Sequence, residues 1–207
     1  MQPFIITIAR QYGSGGKTIG KMLAERLGIP YYDRDIITMA SEDSGVNAVL
    51  FSDERLKPDL AHRLRSHFPG GDPVSPEDRK FTRDDNLFRY QEKIIRRLAE
   101  QGPCVIIGRC ADHILRERKD VVRVFVHAPD DFCLREAMKV DSLPERDVIR
   151  KTIEIDDYRA KYYKYYTGQE WKDARNYDLS LNSAVLGFDG TMEAILAYLE
   201  VRSRFSE

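Results

Sequence analysis

The stretch Gly13-Ser14-Gly15-Gly16-Lys17-Thr18 constrains this chain more than any other. It follows a short apolar, β-branched run at 4–9 and precedes Ile19, Met22, Leu23 and Leu27, which recur at helical spacing until Gly28 and Pro30. A glycine-rich turn between a buried strand and a helix lets consecutive backbone N–H groups curl around an anion, and the helix N-terminus adds about half a positive charge. Gly13, Ser14, Gly15, Gly16, Lys17 and Thr18 are therefore expected to bind nucleotide phosphates. Lys17 would reach the outer phosphates and the Thr18 hydroxyl would bind Mg²⁺. The usual spacing asks for glycine at position 11, where this chain has Gln11. Positions 13–18 supply most of the cradle, so the turn need only accept a side chain there.

The rest of the chain alternates in the same way. Short apolar runs at 29–32, 104–108, 121–128 and 177–182 read as strands. Between them, Leu87, Ile94, Ile95 and Leu98 mark a helix ended by Gly102-Pro103, and Asp130 and Asp131 open a shorter one. Ser142-Leu143-Pro144-Glu145 reads as a capping box for a long helix closed by Gly168. Met192, Ile195, Leu196 and Leu199 mark a last amphipathic helix. Strands alternating with helices imply an α/β fold with a parallel sheet, in one domain over 1–207. The stretch from about Ser41 to Asp84 is polar and rich in proline and glycine, and reads as an inserted lobe with a basic helical piece at 53–68.

A net charge of −1 argues against nucleic acid or an anionic membrane as partner. No apolar stretch approaches the roughly 18–20 residues of a membrane span. Cys104, Cys110 and Cys133 have no metal-ligand spacing and read as reduced packing residues. A soluble, cytoplasmic protein is expected.

Three segments bear on chemistry. Gly108-Arg109 lies just past the third strand, at the carboxyl edge of the sheet where α/β proteins bind ligands. Arg109 there either grips an acceptor phosphate bidentately or is merely solvated. No aspartate ends this strand, so Asp112 is the nearest carboxylate for a Mg²⁺-bound water. Asp156 and Arg159 are three apart on one helix face and can orient each other. That cationic helix would close as a lid, with Arg159 neutralising charge on the transferring phosphoryl group; a solvated, salt-bridged helix is the alternative. Asp33 and Arg34 follow the second strand, where an acceptor can sit; a helix cap by Asp33 or Asp35 is the other reading.

The segments ARQYGSGGKTIGKMLAERLGIPYYDRDII, CVIIGRCADHILRER, DDYRAKYYKYYTG and NYDLSLN resemble the cytidylate kinase-like family of P-loop proteins. The resemblance implies a P-loop NTPase three-layer fold with a five-stranded parallel sheet in order 2-3-1-4-5. It also implies an acceptor-binding insertion at about 34–84 and a helical lid at about 143–170. ATP would be the phosphoryl donor and Mg²⁺ its metal, held by Thr18 and Asp112. Lys17, Asp156 and Arg159 would be catalytic, and Asp33, Arg34 and Arg109 would bind the acceptor. The chain departs from the family pattern at Ile107 and Cys110, where aspartates flank the Gly-Arg pair, at Thr152, and at Asp33-Arg34-Asp35. The expected function is Mg·ATP-dependent transfer to a small phosphorylated acceptor, foremost a nucleoside monophosphate. A hydroxyl acceptor with Asp33 as base, or a nucleotide-binding module with little catalysis, are the alternatives. The expected partners are small-molecule nucleotides, and the oligomeric state is left open.

Overall fold

The structure is a computed structural model that describes residues 4–44 and 84–205. The stretch 45–83, which holds most of the expected insertion and its basic piece, lies outside the described residues.

Strand β1 (Ile5–Arg10) is buried on both faces because it is the middle of the sheet. It pairs in parallel with β3 (Val105–Ile107) at Ile6↔Val105 and with β4 (Val121–His127) at Ile5↔Val121. Outside these lie β2 (Tyr31–Tyr32) against β3 and β5 (Leu179–Asn182) against β4, also parallel. The order is β2-β3-β1-β4-β5, as the resemblance implies.

Period-two alternation sends the two halves of β1 into different apolar layers. Ile6 and Ile8 pack with Ile19 and Leu23 of α1 (Gly16–Leu27) and with Met192, Ile195 and Leu199 of α7 (Ser183–Phe205). Ile5 and Ala9 join Ile36, Ile37 and Ala40 of α2 (Asp35–Ser44) and Leu87, Ile94 and Leu98 of α3 (Asp84–Gln101). Tyr162 and Tyr163 of α6 (Glu145–Thr167) complete that second layer. Each buried isoleucine contributes about 1.5–3 kcal/mol. Two short helices, α4 (Ala111–Ile114) and α5 (Asp130–Val140), follow β3 and β4. Helix, sheet and helix therefore form the expected three layers, and helix α2 places the start of the expected insertion in the core.

Local chemistry accounts for the helix ends. Gly28 and Gly168 close α1 and α6 at φ 66° and 72°, as their positions predict. The start of α6 differs from the expected capping box. Its cap is Pro144, extended at ψ 145°, whose carbonyl accepts from Asp147 and Val148 N–H. A residue before proline is pushed out of the helical region, so Leu143 cannot be the first helical residue that a Ser142 cap requires. Strand β5 begins two residues later than expected. Tyr177 instead ends a 3-10 turn (Ala174–Asn176), and its hydroxyl donates to the Trp171 carbonyl. Helix α7 is broken at Gly187 (φ 67°, ψ 178°), so the expected last helix is its second piece.

Candidate active site

The carboxyl end of β1 turns into the glycine-rich loop and then α1. Gly13 and Gly15 both have φ 77°, the left-handed region that favours glycine. A β-carbon at Gly13 would collide with the Cys133 carbonyl, and one at Gly15 with the Phe188 ring. Helix α1 starts at Gly16 with no side-chain cap, leaving its N-terminus to face an anion. The Lys17 and Thr18 side chains are exposed there.

Gln11 does more than tolerate the turn. It is buried, and its Oε1 accepts from the Ala128 N–H at 3.1 Å, one residue beyond β4. Its own N–H donates to the Val126 carbonyl, and its carbonyl accepts from the Ser14 hydroxyl at 2.9 Å. From the other side the Ser183 hydroxyl donates to the Ser14 carbonyl at 2.7 Å. A glycine at 11 would leave the Ala128 N–H without this partner. The loop is thus tied to β4 and α7.

Asp33, buried just after β2, holds Lys17: Nζ to Oδ2 is 2.6 Å. Arg10 Nη2 is 3.9 Å from the other carboxylate oxygen. Asp33 is therefore a partner of the phosphate-loop lysine rather than a helix cap. The backbone carbonyl of Arg34 starts α2, accepting from Ile37 at 2.9 Å, and the Arg34 side chain is exposed. Asp35 stands in the first turn, where its charge suits the helix dipole.

Across β1 and β3 a second group of side chains lines a pocket: Arg10, Arg109, Asp112, Arg159, Tyr162 and Tyr163 among them. Arg109 is positioned by an unusual backbone. Gly108, Arg109 and Cys110 follow one another at φ 67°, 60° and 54°, and two of the three carry a β-carbon. Left-handed conformation costs a non-glycine residue roughly 1–2 kcal/mol, and such strain gathers at functional sites. Gly108 itself cannot be replaced freely, since a β-carbon there would strike Arg10 Nη1. Arg159 Nη1 donates to Asp156 Oδ1 and to the Arg10 carbonyl, both at 3.1 Å. Burial raises the Asp156 pKa despite Arg159 beside it. Arg159 Nε and the Tyr162 hydroxyl are buried donors with no hydrogen-bond partner.

Asp112 is buried, and its Oδ2 accepts from the Tyr163 hydroxyl at 2.6 Å. Burial pushes this carboxyl up to about 6. A carboxyl raised in the folded state binds its proton more tightly there than in the unfolded chain. The contribution of Asp112 to stability is therefore fully present below about pH 4 and is lost, by about 3 kcal/mol, as the pH rises to about 6. Urea unfolding across that range checks this: Asp112→Asn should remove that fall, and an unchanged pH profile in the variant would refute the assignment.

The structure thus brings Lys17 to Asp33, and Arg109, Asp112 and Arg159 into one pocket, with Arg10 reaching both groups. Arg10, Tyr163 and the bonding role of Gln11 were not read from sequence. The only signal for Arg10 is its place as the last residue of the central strand. Among the described residues no three His, Cys, Asp or Glu side chains cluster to hold a metal. The exposed Thr18 hydroxyl at the start of α1 fits an ion such as Mg²⁺, which takes few protein ligands. No described helix is long and apolar enough to cross a membrane.

A strand–glycine loop–helix unit at the centre of a parallel sheet ordered 2-3-1-4-5 defines a P-loop NTPase fold of the kinase type. The model of the cytidylate kinase-like family matches residues 5–185, and the chain belongs to that family. No curated protein is similar enough in sequence to count as a match. Among solved structures, an uncharacterized protein from Eubacterium ventriosum is 23% identical with a TM-score of 0.71, covering 95% of this chain and 98% of that one. The shikimate kinase of Bacteroides thetaiotaomicron is 14% identical at a TM-score of 0.55, covering 95% and 98%. That of Acinetobacter baumannii, solved with shikimate, is 13% identical at 0.51, covering 99% and 96%. At these identities the likeness is one of fold. Family and fold together support a kinase acting on a small molecule.

Proposed function

We propose that the chain transfers the γ-phosphoryl group of Mg·ATP to a small anionic acceptor, with nucleoside monophosphates the first class to test. The observation that carries this reading is the pocket beside the phosphate loop, lined by Arg10, Arg109 and Arg159 and holding the unpartnered donors Arg159 Nε and Tyr162 Oη. A site of cations and spare donors suits a ligand made of anionic oxygens. A phosphate acceptor is already ionised at neutral pH, so catalysis needs positioning and charge neutralisation rather than a strong base. Lys17 and Arg159 would offset charge on the phosphoryl group, Asp156 would hold Arg159, and Arg109 would grip the acceptor, with Asp33 and Arg34 bordering it. Thr18 would hold Mg²⁺ against the nucleotide, with Asp112 the carboxylate for its water; the ion supplies charge neutralisation at the outer phosphates.

A hydroxyl acceptor is the second reading, favoured by Asp33. Asp33 is a buried carboxylate beside the phosphate loop, 2.6 Å from Lys17, and would act as base for an attacking hydroxyl once the lysine turns to the donor phosphates. An ADP-release screen of nucleoside monophosphates against sugar acids and polyols separates the two. ADP formed with a nucleoside monophosphate supports the first reading, and ADP formed only with hydroxyl compounds overturns it. ATP binding with no ADP from any acceptor would instead indicate a nucleotide-binding module. Asp33→Asn should cost less than about tenfold with a phosphate acceptor, against roughly 10²–10⁴-fold where a base is required.

A further inference from the structure

Tyr12 sits inside the phosphate loop, yet its hydrogen bonds run to helix α6 and the end of α5, far away in sequence. Its backbone N–H donates to Asp156 Oδ1 of α6 at 2.8 Å. Its hydroxyl donates to Oδ2 of Asp141, the residue ending α5, also at 2.8 Å. Asp141 is in turn held by Lys151 of α6, Nζ to Oδ1 at 2.5 Å. Two cations of that helix lie over the Tyr12 ring, Lys151 Nζ 5.5 Å and the Arg159 guanidinium 5.9 Å from its centroid. Arg159 closes the circuit by donating to the carbonyl of Arg10, two residues earlier at the end of β1.

These contacts reach the loop from both ends of one residue, backbone and hydroxyl, through three residues of α6 and one of α5. The carboxylates concerned are poorly exposed, Asp141 at 11% and Asp156 at 14% of the side chain, so the bonds are shielded from competing water. Burial alone would push Asp141 up, but the hydrogen bonds from Lys151 and Tyr12 outweigh it and hold its carboxyl below the usual range. Asp141 is therefore held in its charged form.

We infer that Tyr12 is a positioning residue that fastens the phosphate loop to α6, so that nucleotide affinity and the order of α6 are coupled through it. A tyrosine at this place meets no need of the anion cradle itself, which is made of backbone N–H groups and Lys17. Its ring and hydroxyl make sense as a strap. When α6 moves, Tyr12 loses its N–H bond to Asp156 and the two cations beside its ring, and Asp141 loses Lys151; when the loop closes on phosphates, α6 is drawn with it.

The kinetic part of this inference rests on the phosphoryl-transfer reading, but its first test does not. Hydrogen exchange of residues 145–167, with and without ATP, is compared for the wild type, Tyr12→Phe and Tyr12→Ala. ATP should protect α6 of the wild type. Tyr12→Phe, which loses only the hydroxyl bond, should lose part of that protection and bind ATP roughly tenfold less tightly, the scale of one hydrogen bond to a charged group. Tyr12→Ala, which keeps only the backbone N–H bond to Asp156, should lose more of that protection than Tyr12→Phe. A thermal melt of each variant without nucleotide shows whether the fold is kept; if Tyr12→Ala does not fold, the hydroxyl variant alone decides. Protection of α6 by ATP that is unchanged in Tyr12→Phe would overturn the inference, whatever the enzyme's activity. Where ADP formation is measurable, kcat should fall at saturating ATP while the acceptor KM stays within about threefold, and Tyr12→Phe should recover most of what Tyr12→Ala loses. A chain with no turnover but intact coupling would refute the kinase reading and leave the strap standing.

Discussion

Lys17→Ala is expected to lower phosphoryl-transfer turnover by at least about 10²–10³-fold, the scale of losing one preorganised charge at a developing anion. Lys17 is the most exposed cation of the loop, its side chain 59% accessible, so little packing is lost with it. Its one described ion pair is with Asp33, which keeps Arg10 at 3.9 Å when the lysine is gone. The folded state should therefore lose no more than about 1–2 kcal/mol, or a few degrees in Tm for a chain of this length. Steady-state assays beside a melting curve check both halves. Turnover within tenfold of wild type would sink the assignment of Lys17 to the donor phosphates. Lys17→Arg keeps the charge but not the compact ammonium, and is expected to rescue the melting temperature far better than the rate.

Arg159→Ala carries a double effect, because Arg159 is both structural and chemical in this arrangement. The Arg159–Asp156 pair is largely sheltered, each side chain near 15% exposed. Removing the cation leaves a desolvated carboxylate whose Oδ1 keeps only the Tyr12 N–H. Breaking a sheltered pair in this way costs about 3–5 kcal/mol. The double variant Arg159→Ala/Asp156→Ala should recover part of that stability without recovering rate. At temperatures where the single variant is folded, kcat should fall more than ATP affinity, since the guanidinium acts on the phosphoryl group in transfer rather than on bound nucleotide. A rise confined to the ATP KM would contradict this.

The fold was legible wherever a local pattern is dictated by a local cause. Isoleucines buried on both faces announced β1, glycines at 28 and 168 announced the ends of α1 and α6, and the loop at 13–18 announced an anion site. The same is not true of the loop's surroundings. Gln11 meets Ala128 and Tyr12 meets Asp156 across more than a hundred residues, so nothing beside them in the chain hints at the bond. Arg10 looked like an ordinary strand end until the crossover placed Gly108 under its guanidinium. Where the local reading misled, at the Ser142 capping box, a second local rule had been overlooked: proline at 144 forbids the helix from starting at Leu143. Helix α2 is legible only at its start, where Asp33 or Asp35 reads as a cap, because its second half runs into the polar stretch from about Ser41.

The parallel sheet also sets a timetable for the chain as it is made. The central strand has no neighbour until residues 105 and 121 have been synthesised, for Ile6 pairs with Val105 and Ile5 with Val121. At about 5–20 residues per second, roughly 5 to 25 s pass between the completion of β1 and the arrival of β4. During that interval an isoleucine-rich segment has both edges open on the ribosome, a ready template for pairing with other nascent chains. Non-local closure of this kind is intrinsically slow, so the chain passes through its synthesis with its central strand exposed to aggregation.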